Sequence, residues 1–540
     1  MRRRILLRLS QPLWLYTALL CASRFDVRRG LERHWSSERG LVSANLDITL
    51  PTLTLSEEEA ALLGKLRGRI MWYAEVNRKK QHYYEGRQAV RQLGISVPPQ
   101  LYDLAVSVGW PGTICDVLEE RLDWQGWTSV ADELDGLDEI YRDNHLGIEA
   151  SRVHLDALIT GTGFVTVGRG DISAGEPEVL VTVESSSCAT SIWDYRKRRA
   201  TAALSQTWNE LGQIVLETLY LPNETVTLAR NADSVVNATG TGNNKSMIVV
   251  DRDQHNLGRV PVAQLRNRDR AYDLRGRSEI SRPIMYYTDA ACRTMLGMEV
   301  SREFYSAPQR YALGAEPEMF GVSDESTVDD RILAGWRAAM GRLNIIPLTE
   351  DGDMPQVGQF PSAPPTPYID LIRTYSQMVS AESGIPAPYL GFSTENPSSA
   401  DAIRQAEYRL VKRAERRQTN FGQAWREVAF LALLIRDGKV DRDFFRTIDV
   451  KWQDAATPTR AAAADEALKL TSAGILTPDS TVTYDRIGLS QQDQARVMDD
   501  KRKARLNGVV DNLKNASKNV QDNNQFVAEV AARKVPVSAQ

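Results

Sequence analysis

The stretch that decides the reading is Pro386–Gly438, PAPYLGFSTENPSSADAIRQAEYRLVKRAERRQTNFGQAWREVAFLALLIRDG. It opens as a loop rich in Pro, Gly, Ser and Asn and then becomes an unbroken helical pattern. Ser398 and Ser399 can accept from the free backbone N–H groups of a first turn, and Ser398 with Asp401 resembles a capping box. After Pro397 the stretch has no proline, its one helical glycine is Gly422, and Gly438 stands where a helix stop is expected. Ile403, Leu410, Ala414, Phe421, Trp425 and Val428 recur at helical spacing and predict a core or interface stripe. At ~1.5 Å per residue, a helix over 399–437 would be about 58 Å long. Globular helices average ~11–12 residues, so this one is expected to cross an assembly rather than sit inside a small domain.

Working outward, 540 residues allow two to four domains, and 42% hydrophobic with 25% charged residues is ordinary for a soluble globular chain. The formal net charge of −4 lacks the basic excess of a protein that grips nucleic acid by neutralising phosphates. Cys21, Cys115, Cys188 and Cys292 are dispersed and form no CxxC, so neither a disulfide framework nor a zinc site is expected. The five histidines are equally scattered, and no cofactor or metal is expected. Residues 1–54 begin Met-Arg-Arg-Arg followed by a short apolar run, the outline of a signal peptide. An N-terminal arm, disordered or not translated, fits the downstream sequence better, and folded structure is expected from the Thr54–Leu63 run. No stretch is long and apolar enough for a membrane span.

Along the chain, helical patterns run over 56–94, 101–124 and 134–161. Strand-like alternation then covers about 162–266, with a Gly/Asn-rich loop at 237–245. Helix returns at 278–305 and 369–383 around a proline-rich region at 307–367. Beyond 458 short helices are expected, and 507–540 reads as a flexible polar tail without a sustained heptad. The fold class is α+β, mainly helical. Motifs for chemistry are absent. Gly240–Ser246 lacks the P-loop glycine before Lys245 and precedes a strand. Gly161-Thr162-Gly163 lacks the third glycine of a dinucleotide fingerprint and reads as a helix stop. No carboxylate stands in an apolar setting that would tune it, so the chain is not expected to be an enzyme.

Three passages in fixed order carry a resemblance. The first joins Tyr83-Tyr84-Glu85-Gly86, Trp110, Val117–Leu122 and Gly126-Trp127. The second is Gly161–Val167. The third, most specific, joins Ser383–Pro386, Tyr389-Leu390-Gly391 and Asn396–Ile403. Over about two-thirds of its length the chain resembles the portal proteins of long-tailed bacteriophages.

The resemblance implies a portal fold with wing, stem, clip and crown, assembled as a dodecameric ring around a central channel. It would divide the chain into a wing (55–277), a stem helix (278–305), a clip (306–366), a second stem helix (367–385), a tunnel loop (386–398), a long channel helix (399–438), a crown region (439–506) and a C-terminal tail (507–540). Double-stranded DNA would pass without sequence specificity past Ser393, Thr394, Glu395 and Asn396. The implied partners are the terminase large subunit, major capsid and scaffold proteins, and head–tail adaptors. The implied location is the portal vertex of the virion, with host cytoplasm during assembly. The basic run on the long helix could hold DNA; pairing with a neighbouring subunit or solvent exposure is the plainer reading. Arg404, Arg409, Arg413, Arg416 and Trp425 are therefore candidates for a subunit interface. Tyr73, Tyr83 and Tyr84 could stack on bases, although core packing explains them as well. The competing functional class is a helical scaffold or adaptor of a virion without a channel.

Overall fold

The computed structural model describes residues 54–89, 106–130, 134–230, 247–272, 275–306, 310–313, 327–331, 356–359, 364–391, 400–456 and 460–532. Two compact units divide the chain, 1–455 and 456–540.

The first unit begins with α1 (Glu57–Tyr84), started by a capping box in which Ser56 and Glu59 each bond the other's backbone N–H. Leu63, Leu66 and Ile70 are spaced for one helical face and are buried. They pack on a five-stranded antiparallel sheet of β4 (Ala189–Asp194), β5 (Arg199–Trp208), β6 (Ile214–Tyr220), β7 (Thr225–Arg230) and β8 (Met247–Asp253), in that spatial order. Arg67 reaches into the sheet and forms an ion pair with the buried Glu217. These strands, with β2 (Thr162–Arg169), β3 (Val179–Ser185) and β9 (Val262–Arg266), make up the β-rich region expected from the alternation at 162–266. A separate three-stranded sheet has the order β3-β2-β9.

Around that smaller sheet lies the main core. It gathers α2 (Trp110–Glu119), α4 (Leu146–Thr160), α7 (Ala400–Asp437) and a two-stranded ribbon of β1 (Trp124–Ser129) with β12 (Ile448–Trp452). The pattern expected as one helix over 134–161 is two, α3 (Leu137–Asp143) and α4, because the chain turns at Asn144 and at His145, whose φ is 50°. α4 ends at Gly161 with φ 108°, where the Arg277 backbone lies so close that a Cβ would stand 3.1 Å from it. That glycine is a helix stop, as its context suggested.

α5 (Arg282–Ser306) packs along α6 (Thr366–Ser383). The region between them is described only in part, including the antiparallel pair β10 (Arg310–Leu313) and β11 (Gln356–Gln359). The long helix is present: α7 has 38 residues and is about 57 Å long. After it come α8 (Arg442–Thr447) and β12.

The second unit holds α9 (Arg460–Ser472), α10 (Thr481–Ile487) and α11 (Gln491–Ala532). Here the expectation of a frayed tail from 507 is corrected. α11 is one helix of 42 residues.

The centre of the main core is aromatic. Trp425 stacks on Trp124 with ring centroids 3.9 Å apart, and its Nε1 donates to His154 Nε2 at 2.9 Å. Trp127 Nε1 in turn donates to the Trp425 carbonyl at 2.9 Å. Because His154 accepts at Nε2, its neutral ring carries the proton on Nδ1. Burial pushes its pKa down to about 3. The folded state therefore binds fewer protons than the unfolded state between about pH 6.5 and 3, and stability contributed by this site is lost as pH falls through that window. His154→Gln is expected to flatten the acid side of a urea-midpoint-versus-pH curve, removing a slope on the order of 1.4 kcal/mol per pH unit below about 6.5.

Candidate functional site

The residues expected to face DNA, Ser393, Thr394, Glu395 and Asn396, lie outside the described residues, as does Gly240–Ser246. What the structure shows is how the chain is held on both sides of 392–399.

On the near side, α6 ends at Gly384, with φ 73° and its N–H donating to the Ser380 carbonyl at 2.8 Å. Ser380 Oγ donates to the Ile385 carbonyl at 2.6 Å, and Ile385 N–H donates to Ser383 Oγ at 3.2 Å. A 3-10 turn, Ala387–Leu390, follows, and Leu390 is buried. Trp110 Nε1 donates to the Leu390 carbonyl at 3.3 Å.

On the far side, α7 reaches back with three side chains. Tyr389 Oη donates to Glu407 Oε1 at 2.7 Å, and Arg121 Nη2 lies 3.4 Å from the same oxygen. Arg409 Nη1 donates to the Ala381 carbonyl at 2.7 Å, and Arg413 Nη1 to the Glu382 carbonyl at 3.2 Å. These carbonyls belong to the last turn of α6, where carbonyls lack helical partners and where positive charge is favoured by the helix dipole.

Deeper along α7 lies a buried charge cluster. Glu279 has no exposed side-chain surface. Its Oε1 accepts from Arg417 Nη2 at 2.5 Å and from Asn267 Nδ2 at 2.9 Å. Its Oε2 accepts from Arg413 and lies 3.5 Å from Arg268 Nη1. Asn267 Oδ1 accepts from Arg417 Nε at 3.1 Å, and its backbone N–H bonds the Gly161 carbonyl at 3.0 Å. The Glu279 N–H bonds the Leu158 carbonyl at 2.9 Å. Glu279 thus joins α7 and the segment after β9 through its carboxylate, and the end of α4 through its backbone N–H. Burial alone would raise its pKa, but the charges of Arg417, Arg413 and Arg268 outweigh that and hold it at about 2.

The interface candidates on α7 divide accordingly. Trp425 is a correction. It is fully buried within its own chain and serves the core, because its ring and its N–H are both satisfied there. Arg409 and Arg413 bond partners of their own chain, at the end of α6 and at Glu279. Arg404 and Arg416 are exposed on α7. Among the tyrosines, Tyr83 is buried and donates to Asp289 at 2.8 Å, Tyr84 donates to Asp116 at 2.8 Å, and Tyr73 lies under the Arg275 guanidinium. They are structural in this chain.

Sequence reasoning missed Glu279, His154 and the Tyr389–Glu407–Arg121 contact. The four-residue spacing of Arg413 and Arg417 was a visible signal, since two guanidinium groups on one turn call for a shared anion. Nothing in the sequence marked Glu279 as that anion. Among the described residues no group of three or more His, Cys, Asp or Glu is placed to hold a metal ion, and no helix is long and apolar enough to cross a membrane.

Removing the charge in Glu279→Gln leaves buried guanidinium groups uncompensated and is expected to cost about 3–5 kcal/mol, read by urea unfolding. Because the folded-state pKa is depressed, the wild-type contribution is present above about pH 4.5 and is lost as pH falls toward 2. The variant's stability loss should therefore shrink across that window.

Comparison with known proteins supplies context for this geometry. The family model described as phage portal protein, SPP1 Gp6-like, matches residues 75–484. A portal protein of Mycobacterium phage D29 is 35% identical over 403 residues, covering 73% of this chain and 78% of that protein. A portal protein of Mycobacterium phage L5 is 33% identical over 398 residues, covering 72% and 77%. Among solved structures, a chain of the neck of a native GTA particle computed with C12 symmetry matches with a TM-score of 0.38 at 12% identity, over 76% of this chain and 99% of the other. A chain from the neck of an empty GTA particle, computed with C6 symmetry, has a TM-score of 0.38 at 14% identity, over 73% and 95%.

Proposed function

We propose, from the premise that this chain belongs to the SPP1 Gp6-like family of phage portal proteins, that it is one subunit of a closed ring at a single capsid vertex. Double-stranded DNA enters and leaves through the central channel. The ring number we propose is twelve, and the 386–398 segment faces the DNA. In this reading 55–277 is the wing, α5 and α6 are the stem, 306–366 is the clip that meets the terminase, and the region after α7 begins the crown. Capsid and scaffold proteins, and later head–tail adaptors, contact the outer surfaces. The protein's role is passive and geometric, and DNA movement is driven by a separate ATP-hydrolysing motor.

The observation that carries this reading is the double anchoring of 392–399. The chain before it is tied into the core by Trp110 and Ser380, and the chain after it is tied back by Glu407, Arg409 and Arg413. A loop that meets a moving duplex needs such a fixed root. The stem pair also exposes apolar side chains at Tyr286, Ile369, Leu371 and Met378, which suit contact with a neighbouring subunit. A mixed channel wall is suited to sliding, since a dense basic lining would retain the phosphate backbone.

The full-length protein is expected to form rings with a central hole and a mass of about 0.7 MDa, roughly twelve copies of 60.4 kDa, in negative-stain images and mass photometry. A protein that stays monomeric at high concentration in every salt condition would overturn the reading. Deleting 392–397 should leave ring formation intact and impair DNA packaging or retention in complementation assays. Loss of the rings themselves would refute the loop assignment.

A further inference from the structure

The C-terminal helix α11 carries an apolar stripe that its own unit leaves uncovered. Up to Arg505 the helix is fastened. Gln494 Nε2 donates to Asp485 at 2.7 Å, Lys501 Nζ donates to Tyr484 Oη at 2.6 Å, and Arg505 pairs with Asp479 at 3.0 Å. Beyond that point apolar side chains face solvent: Leu506 is 58% exposed, Val509 56%, Leu513 65%, Val527 62% and Val530 45%. Their spacing alternates steps of three and four residues. Continued along the sequence, the same alternation runs through Ala516, Val520 and Asn523. This is the seven-residue repeat of helices that pack against one another, with Leu506 opening an a position and Val509 a d position.

Three further features point to what covers it. First, the charges avoid it: in this register Asp511, Lys514, Lys518, Asp522 and Glu529 all fall on the outer b, c and f positions. Second, the flanking e and g positions from 510 onward are uncharged. They include Val510 and Phe526, both exposed, and otherwise Asn, Ser or Ala. Charged e and g residues are how coiled coils choose unlike partners, and like charges there would repel identical copies. Here identical helices meet no repulsion, and the apolar face is wide enough for a neighbour on each side. Third, the helix needs a partner. Gly508 and six asparagines between 507 and 524 give it poor intrinsic propensity, so packing of its apolar face has to supply the stability.

We propose that this stripe packs against the same stripe of further copies of the chain, with the C-terminal helices side by side. The contact between like helices rests on the stripe alone; its parallel, ring-wise repetition rests on the ring reading above.

The test uses the full-length chain with p-benzoylphenylalanine replacing Leu513 on the stripe, or Lys518 on the outer face, prepared as a mixture of light and heavy isotope-labelled copies. After photolysis, peptide mass spectrometry of the Leu513 probe is expected to join two peptides from 491–532, with mixed light–heavy pairs, several-fold more often than the Lys518 probe. Cross-links confined to 1–455 of the same chain, cross-links to another protein, or equal yields from the two positions would overturn the proposal. A second arm measures amide hydrogen exchange: Leu513→Asp combined with Val527→Asp should speed exchange over 506–530, and Lys518→Asp should not. Equal exchange in all three proteins also counts against it. Negative-stain imaging of the same samples separates the two readings. Stripe cross-links without rings defeat the ring and leave this contact standing, and rings without stripe cross-links do the reverse.

Discussion

Glu279 is buried where α7, α4 and the segment leading into α5 meet, and its charge sets how those pieces can be arranged. An ionised carboxylate without water must be surrounded by donors, or it protonates and loses its hold. Two arginines one turn apart on α7 supply them, Arg413 and Arg417, with Asn267 and Arg268 from the segment after β9. These groups are mutually dependent. Arginine cannot neutralise itself by losing a proton under ordinary conditions, so removing the carboxylate strands its partners. The cluster therefore fixes the position of α7 against the β-rich region and the start of α5 more specifically than apolar packing would, because apolar contacts tolerate sliding that a buried carboxylate shared by two arginines does not.

That fixed position bears on the proposed loop. Arg413 also bonds the Glu382 carbonyl at the end of α6, and Arg409, one turn earlier on α7, bonds Ala381. The clamp at Glu279 thus continues directly into the anchors of the chain before 392–399. The next contact outward, Tyr389 with Glu407 and Arg121, lies nearer solvent and involves a single shared carboxylate. Anchoring is densest at the buried Glu279 and thins toward the more exposed Tyr389–Glu407 contact.

Much of the architecture is legible in the sequence because it depends on local signals. The absence of proline and the apolar period of 400–437 specify α7, whereas the expected caps Ser398 and Ser399 lie outside the described residues; alternation specifies strands β2, β3 and β5 to β8. The failures have physical causes. A helix was expected across Asn144-His145 because the apolar pattern continues on both sides, whereas the break is a left-handed turn invisible to periodicity. The tail from 507 reads as frayed because it is polar and Asn/Lys-rich, and that composition masks a three-four spacing of apolar residues. The aromatic centre and the Glu279 cluster join residues more than a hundred positions apart, and no local pattern encodes such a meeting. The family resemblance rested on short motifs in order, which is why it identified the chain while leaving these contacts unseen.

The use of the arginines also bears on how DNA would be handled. From its sequence, the basic run at 404–417 could have been a grip on phosphate. In the folded chain Arg409 serves the end of α6, Arg413 and Arg417 serve Glu279, and Lys412 pairs with Glu415 at 2.6 Å. A guanidinium already bonded to a buried carboxylate contributes little attraction to a distant phosphate, because its field is largely cancelled at short range and screened beyond about 10 Å in ordinary salt. Half of the six basic residues of this run, Arg409, Arg413 and Arg417, thus tie the helix to other elements, while Arg404 and Arg416 stay exposed. The ion pairs that stiffen the seat of this helix are the same ones that take Arg413 and Arg417 out of reach of a phosphate.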